Sequence, residues 1–417
     1  MRILLYTSPA RGHLYPAMPI ASELAARGHD TRVQTLAAEI DHVRAAGLDA
    51  APIDPAIEAH AIVDWKQRLA PLAALSVLRT FARRSELEAP DLTRAIERDA
   101  PDVLLIDVNC WGAATAAEAS GLPWAVYSPY LLPLRSREAP PFGLGLAPRS
   151  GPLGRARDVA LGAVLSASFD RTAMPTINRL RTQLGLAPLP SYEAQLGRPH
   201  ALLALTAEGF EYPRREWPTN VRFVGPMEWS PPQPAPPWLR EMTDPLVLVT
   251  CSTERQRDKR LLHVALEALP PVGMAVLGTA AAHDPGEFAP PPGSRVERFV
   301  PHDHVLAGAA CVVCHGGMGI VQKALAAEVP LVVVPFGRDQ LDVACRVEEA
   351  QAGAQLSPRR LTPARLRQAV ELAMTLRAGA RRVSAAFAAA GGASAAADAV
   401  EGVVVGGGSD HTARTRA

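Results

Sequence analysis

Cys311-Val312-Val313-Cys314-His315-Gly316-Gly317-Met318-Gly319 is the stretch that decides the fold. Its first four residues are an apolar run of strand length. Three of the next five residues are glycine, and Gly319 to Ala327 then has helical spacing. A strand, a glycine turn and a helix form the repeating unit of a parallel α/β sheet. Glycines at such a turn let a ligand approach the backbone. Free N–H groups and the positive helix end suit a phosphate. No Gly-Lys-Ser/Thr ending follows, so this is not a P-loop, and the spacing does not fit a dinucleotide fingerprint. The plainer alternative is a strand-to-helix turn that needs small residues, with His315 as a helix cap. Cys311-Val-Val-Cys314-His315 also fits the c-type haem attachment pattern. Both cysteines, however, belong to a run that reads as a buried strand, and no export signal is seen. No second ligand pair has zinc spacing, so no metal site is expected.

The same alternation extends outward. Leu246 to Thr250, Met274 to Leu277, Val296 to Phe299 and Leu331 to Val334 read as further strands around the glycine turn. In the first half, Ile3 to Tyr6, Thr31 to Leu36, Val103 to Ile106 and Trp124 to Tyr127 are strands. Pro16 to Arg27 is a helix stopped by Gly28, and Gly112 to Ser120 is one stopped by Gly121. Strands alternating with helices imply right-handed crossovers and parallel sheets. Residues 128–200 break the pattern, with a long helix around Arg155 to Leu184. Prolines cluster from Pro231 to Pro237, which marks a semi-rigid linker. The expectation is two doubly wound α/β domains in tandem. The first covers 1–228, the linker 229–243 and the second 244–380. A C-terminal helix over 381–402 is placed to pack back on the first domain, and 403–417 form a disordered tail.

Composition agrees. At 417 residues the chain is too long for one core and suggests domains of about 200 residues each. Hydrophobic residues at 48% and charged residues at 20% fit a globular protein. The 43 basic and 42 acidic residues leave a net charge of +1, which argues against a nucleic-acid partner. Five cysteines do not make a disulfide framework. Met1 to Thr7 lacks the features of a signal peptide, and Val383 to Ala397, mostly Ala and Gly, is too weakly apolar to span a membrane. The expected location is cytoplasmic, without a membrane partner, and a homodimer is allowed.

Open parallel sheets bind ligands beyond the carboxyl ends of strands, where strand order reverses. In the first domain that brings the loop Ser8 to Tyr15 beside Asp107 to Trp111, and hence His13 near Asp107. In the second it brings Cys251 to Glu254 beside His315 to Gly319. Two such crevices facing each other define an interdomain cleft.

Four segments together resemble glycosyltransferase family 1, the nucleotide-sugar-dependent enzymes of GT-B fold, and within it the bacterial macrolide-type branch. They are Gly12-His13-Leu14-Tyr15-Pro16, Phe299-Val300-Pro301-His302, His315-Gly316-Gly317-Met318-Gly319 and Pro335-Phe336-Gly337-Arg338-Asp339-Gln340. The likeness covers nearly the whole chain and implies two Rossmann-like domains facing across a cleft. It implies that His13 is the general base and Asp107 its partner, although alone Asp107 reads as a strand-end N-cap. It also implies that Phe299 and His302 hold the nucleobase, although Phe299 equally reads as core, that His315, Gly316, Gly317 and Gly319 hold the diphosphate, and that Asp339 and Gln340 hold the sugar, although these two also fit a helix N-cap. Ser252 and Thr253, on the facing loop, are candidate hydroxyl donors to the diphosphate; the alternative is a strand-end turn with local caps. The expected reaction is inverting and metal-independent, from a UDP- or dTDP-sugar to a hydroxyl of a small apolar natural product, such as an antibiotic precursor. No cofactor beyond that co-substrate is expected.

Two positions depart from the family pattern. Ile320 replaces the usual Ser or Thr after the last glycine. Lys323 replaces a Glu that accepts from ribose hydroxyls, and lysine only donates. Trp65, Trp111 and Phe142 are candidates for an acceptor wall in the first domain, although each also fits a core. A non-catalytic nucleotide-sugar-binding protein and a nucleotide-sugar epimerase of the same fold are the alternative readings.

Overall fold

The protein is described by a computed structural model covering residues 1–67, 69–242 and 245–410. Seven strands make the first sheet: β1 Arg2–Tyr6, β2 Asp30–Thr35, β3 Asp49–Pro52, β4 Val103–Asp107, β5 Trp124–Ser128, β6 Ala201–Ala204 and β7 Val221–Phe223. Their order is β3-β2-β1-β4-β5-β6-β7 and every pairing is parallel. The second sheet holds β8 Leu246–Thr250, β9 Ala275–Thr279, β10 Arg295–Glu297, β11 Ala309–Cys314, β12 Leu331–Val333 and β13 Gly353–Gln355. Its order is β10-β9-β8-β11-β12-β13, again parallel. Both sheets are doubly wound, and each reverses its strand order once.

The central strands β4 and β8, Val-Leu-Leu-Ile-Asp and Leu-Val-Leu-Val-Thr, are buried along their whole length. Sheets covered on both faces require such unbroken apolar runs. The register Tyr6 with Ile106 carries the chain ends after β1 and β4 to one point. Thr250 with Cys314 does the same after β8 and β11.

Several expected boundaries shift. Helix α1 spans Arg11–Ala26 and contains Pro16 and Pro19, so His13 lies in its first turn and not in a preceding loop. The amide of Leu14 already bonds the carbonyl of Ala10, which starts the helix before the proline. Helix α2, Ala70–Asp99, has no counterpart in the expected pattern, whereas α3, Trp111–Ser120, does. Helix α4, Gly151–Gln183, starts earlier than expected. β10 stops at Glu297, which leaves Phe299 in a loop.

Helix α5, Met318–Ala326, follows the glycine turn, and α6, Gln340–Glu349, follows the Asp339 loop. Helix α7, Arg377–Ala389, packs Val383 and Phe387 into the second domain. The chain turns at Gly391 and Gly392, both with positive φ, and α8, Gly392–Asp410, crosses to the first domain. There Ala396, Ala397, Val400 and Val403 join the core against α1 and the first sheet. The expected disordered tail is therefore corrected: helix continues to Asp410, and 411–417 lie outside the described residues.

The domains also touch directly. Arg346 on α6 bonds Glu211 through Nε at 2.9 Å and Nη2 at 2.7 Å, with both side chains buried. Asp342 accepts the amides of Gly143 at 2.8 Å and Gly145 at 3.3 Å. Gly145 has φ +58°, and a Cβ there would lie 2.6 Å from Leu341 Cβ, so only glycine allows this approach.

Candidate active site in the interdomain cleft

His13 and Asp107 meet at the first switch point although 94 residues separate them, with Nδ1 and Oδ2 2.7 Å apart. Asp107 is fully buried at the end of β4, whereas the His13 side chain is 16% exposed and so reaches the cleft. Burial by itself would raise the Asp107 carboxyl. His13 and the amides of Asn109 and Ser8 outweigh it and hold the group below its ordinary value. Asn109 N–H donates to Oδ1 at 2.8 Å, Ser8 N–H to Oδ2 at 3.3 Å and Tyr127 O–H to Oδ2 at 3.3 Å. The carboxylate is thus a fixed acceptor, and His13 presents its Nδ1–H to it. Tyr127 O–H also lies 3.2 Å from the His13 carbonyl, which ties the helix start to the same point.

Asn109 did not stand out in the sequence. Its Nδ2 lies 3.1 Å from His13 Nε2, and its Oδ1 accepts the Tyr130 hydroxyl at 2.7 Å. The Tyr130 ring stands edge-on to His13, with centroids 5.9 Å apart.

Opposite, the glycine turn is shaped mainly by its own packing. Gly316 has φ +93°, and a Cβ there would meet Val333 Cγ1 at 2.7 Å. A Cβ on Gly317 would lie 2.4 Å from His315 Nε2. Gly319 differs: its Cβ position opens into free space. Gly317 is the N-cap of α5 and supplies no side-chain cap, nor does His315. His315 is buried, and its Nδ1 has no hydrogen-bond partner. An orphan buried donor or acceptor at a helix N-terminus fits a cradle completed by an anion. Burial pulls the His315 ring below its ordinary pKa, and Asp258 acts in the opposite sense.

Ser252 lies beside the cradle with its N–H on Asp258 Oδ2 at 2.6 Å, while its Oγ accepts from Glu254 N and Gln256 Nε2. Thr253 is exposed. Asp258 is fully buried and also bonds His283 Nε2 at 2.8 Å, so a second histidine–carboxylate pair stands behind the cradle. Cys251, Asp258 and His283 are close enough to hold a metal ion, a grouping the sequence spacing does not announce. Burial raises the Cys251 thiol, which keeps it protonated.

Asp339 is half-buried, and burial raises its carboxyl while its own backbone amide and the Arg338 guanidinium lower it. Gln340 is 1% exposed and braces its own loop. Its Oε1 accepts the amides of Phe336 at 2.8 Å and Gly337 at 3.1 Å, and its Nε2 donates to Gln256. Phe299 is 46% exposed and is not a core residue. His302 Nε2 lies 3.3 Å from Thr279 Oγ1, and burial with Lys323 nearby draws it down to about 4, so it is neutral. Lys323 neither dangles in solvent nor reaches the cradle. Its ammonium donates to Ser230 Oγ at 2.6 Å, the Trp229 carbonyl at 3.3 Å and Asp303 at 3.3 Å. Ile320 faces the core.

On the acceptor side, Trp111 is 2% exposed and packs among Phe81, Phe169 and Tyr192, so it is a core residue and not a pocket wall. Phe142 is half-buried against Tyr130, with centroids 6.3 Å apart. Trp65 lies in a short 3-10 turn whose carbonyl accepts from Arg257 of the other domain. The haem alternative fails on burial: Cys311 and Cys314 are fully buried in β11, and the Cys314 thiol is pushed up to about 12.

Known proteins agree with this architecture. Residues 266–405 match the family described as erythromycin biosynthesis protein CIII-like, C-terminal domain. The chain is 34% identical to 4'-demethylrebeccamycin synthase of Lentzea aerocolonigenes, over 97% of this chain and 99% of that protein. It shares its fold with the glycosyltransferase of kitacinnamycin, with TM-score 0.75, 22% identity and coverage of 96% and 98% of the two chains. It likewise resembles glycosyltransferase VinC in complex with dTDP, with TM-score 0.72, 23% identity and coverage of 97% and 99%. The chain belongs to the macrolide-type branch of the nucleotide-sugar-dependent GT-B glycosyltransferases, the antibiotic-biosynthesis type. The binding-protein and epimerase readings find no support in these relatives.

Proposed function

We propose that this enzyme transfers a sugar, with inversion, from a UDP- or dTDP-sugar to a hydroxyl of a small, largely apolar natural product, and that His13 is the general base. The acceptor oxygen attacks the anomeric carbon. Its proton passes to His13 Nε2, the bond from that carbon to the diphosphate breaks, and the nucleoside diphosphate leaves. Asp107 stabilises the imidazolium formed in this step. His315 and the amides of Gly317 and Gly319 take up charge on the leaving oxygens, so the scheme calls for no metal ion. Asp339 accepts from sugar hydroxyls, with Gln340 as the brace of its loop. Ser252 and Thr253 edge the diphosphate side, and Phe299 and His302 the nucleobase side. Tyr130, Phe142 and Trp65 lie on the acceptor side.

The observation that carries this reading is the His13–Asp107 contact at 2.7 Å, with the imidazole open to the cleft. Thymidine donors are supported by Lys323, whose ammonium is held by Ser230, Trp229 and Asp303 where a ribose-binding carboxylate would otherwise stand. The complex of the VinC relative with dTDP agrees. A cytoplasmic setting is supported by five buried cysteines, all free. The test is a mass-spectrometric screen of UDP- and dTDP-sugars against mixed aglycones. His13→Ala should lower turnover by about 100-fold or more, and near-normal transfer by that variant overturns the assignment.

A further inference from the structure

We propose that Asn109 is a positioning residue that occupies the acceptor's place on His13 while no acceptor is bound, and so restrains hydrolysis of the donor. The inference rests on His13 acting as base. Nδ1 of that ring is engaged by Asp107 at 2.7 Å, which leaves Nε2 as the atom that meets a substrate. Asn109 Nδ2 stands 3.1 Å from it. An amide nitrogen only donates, so the bond fills the Nε2 lone pair that must receive the acceptor proton.

The amide is aimed from both ends. Tyr130 O–H donates to Asn109 Oδ1 at 2.7 Å, and with Oδ1 engaged there it is Nδ2 that faces His13. The Asn109 backbone N–H donates to Asp107 Oδ1 at 2.8 Å, so Asn109 and Asp107 share one turn after β4. The result is a single directed chain: Tyr130 O–H to Asn109 Oδ1, Asn109 N–H to His13 Nε2, His13 Nδ1–H to Asp107 Oδ2. It selects the neutral ring with its proton on Nδ1. Asn109 is only 7% exposed, so its amide is held in place by protein contacts while the His13 ring still borders the cleft.

Water that took the same lone pair would react as the acceptor does. Its oxygen would attack the anomeric carbon, its proton would pass to Nε2 and the bond to the diphosphate would break, giving free sugar and nucleoside diphosphate. An amide N–H in that position cannot be deprotonated by imidazole and blocks this route. An acceptor hydroxyl that brings the binding energy of an apolar body displaces it, whereas a lone water does not.

The test measures nucleoside diphosphate release from dTDP-glucose without acceptor, in the full-length protein. Asn109→Ala should raise release about fivefold to tenfold, the worth of one buried neutral hydrogen bond. Tyr130→Phe, which removes one hydroxyl and keeps the ring, should raise it by a smaller factor, and it serves if Asn109→Ala does not fold. Adding His13→Ala to either variant should abolish the gain. Equal release from both variants and the native protein, including none from any of them, overturns the proposal. If His13→Ala alone lowers release while Asn109→Ala and Tyr130→Phe change nothing, only the role of Asn109 fails. If the gain persists without His13, the base assignment fails and takes the proposal with it.

Discussion

Arg338 of the second domain grips Asp64 of the first with both arms of its guanidinium, Nε to Oδ2 at 2.8 Å and Nη2 to Oδ1 at 2.9 Å. The pair spans the cleft one residue before Asp339. Arg338 holds φ +56°, a conformation costly for a residue with a side chain, so the ion pair also stabilises the shape of the loop that carries Asp339. Asp64→Asn removes the charge and keeps the size. The Michaelis constant for the donor should rise by about tenfold, and kcat should fall less. Steady-state kinetics with the donor as varied substrate check this, and an unchanged constant would show that the bridge is incidental.

The glycines of the cradle should separate into two kinds. Gly319→Ala places a methyl in open space in the first turn of α5, where alanine favours helix, so Tm should hold or rise slightly. Product inhibition by dTDP should nevertheless weaken, by about tenfold if the diphosphate lies against that amide. Gly317→Ala drives its methyl into the His315 ring and should lower both Tm and dTDP affinity. Thermal denaturation with and without dTDP distinguishes the two.

Asp107→Asn should cost activity out of proportion to its size. An Asn at this position no longer stabilises a protonated His13 by charge, and its amide can donate as well as accept. Turnover should fall by roughly 100-fold or more, with little change in the donor Michaelis constant. Loss of donor binding instead would assign Asp107 to structure alone.

Glu88 offers a test of stability against pH. It is 1% exposed behind α3, with Oε2 on the amide of Gly112 at 3.0 Å and Oε1 without a partner. Burial, partly offset by that bond and by Arg84, pushes its pKa from 4.5 up to about 8. The unfolded chain ionises Glu88 from about 4.5 upward, whereas the folded protein keeps it protonated until about 8. Folded stability is therefore fully present below the lower value and declines as pH rises to the higher one. Glu88→Gln should match the native protein near pH 4 and exceed its Tm by about 10 °C or more above pH 8, equivalent to at most about 5 kcal/mol. Parallel Tm curves across that range would contradict this.

The middle of each sheet was legible because β1, β4, β8 and β11 are apolar runs with no polar face to show. Strand order then brought His13 and Asp107 together without any local motif. What escaped had physical causes. Pro16 reads as a helix start, yet α1 begins at Arg11, and only the hydrogen bonds of Ala10 reveal it. Helix α2 hides its inner face because Arg84, Ser85, Glu88 and Asp91 are buried on it, which blurs the apolar period. β3, Asp-Ala-Ala-Pro, has no β-branched residue, and its edge position lets Pro52 end it. Trp111 could not be sorted between core and wall by residue type alone. Asn109 left one usable signal, a polar residue two places after a strand-end aspartate, where Asx-type turns offer a backbone amide to the carboxylate.

The polypeptide crosses between the lobes twice, once through the proline linker and again where Gly391 and Gly392 send α8 back over α1. Two connections leave the lobes fewer ways to turn against each other than one would, and severing the chain at Ala390 would remove one of them, leaving Ala396, Ala397, Val400 and Val403 packed on the first lobe without a tether to the second.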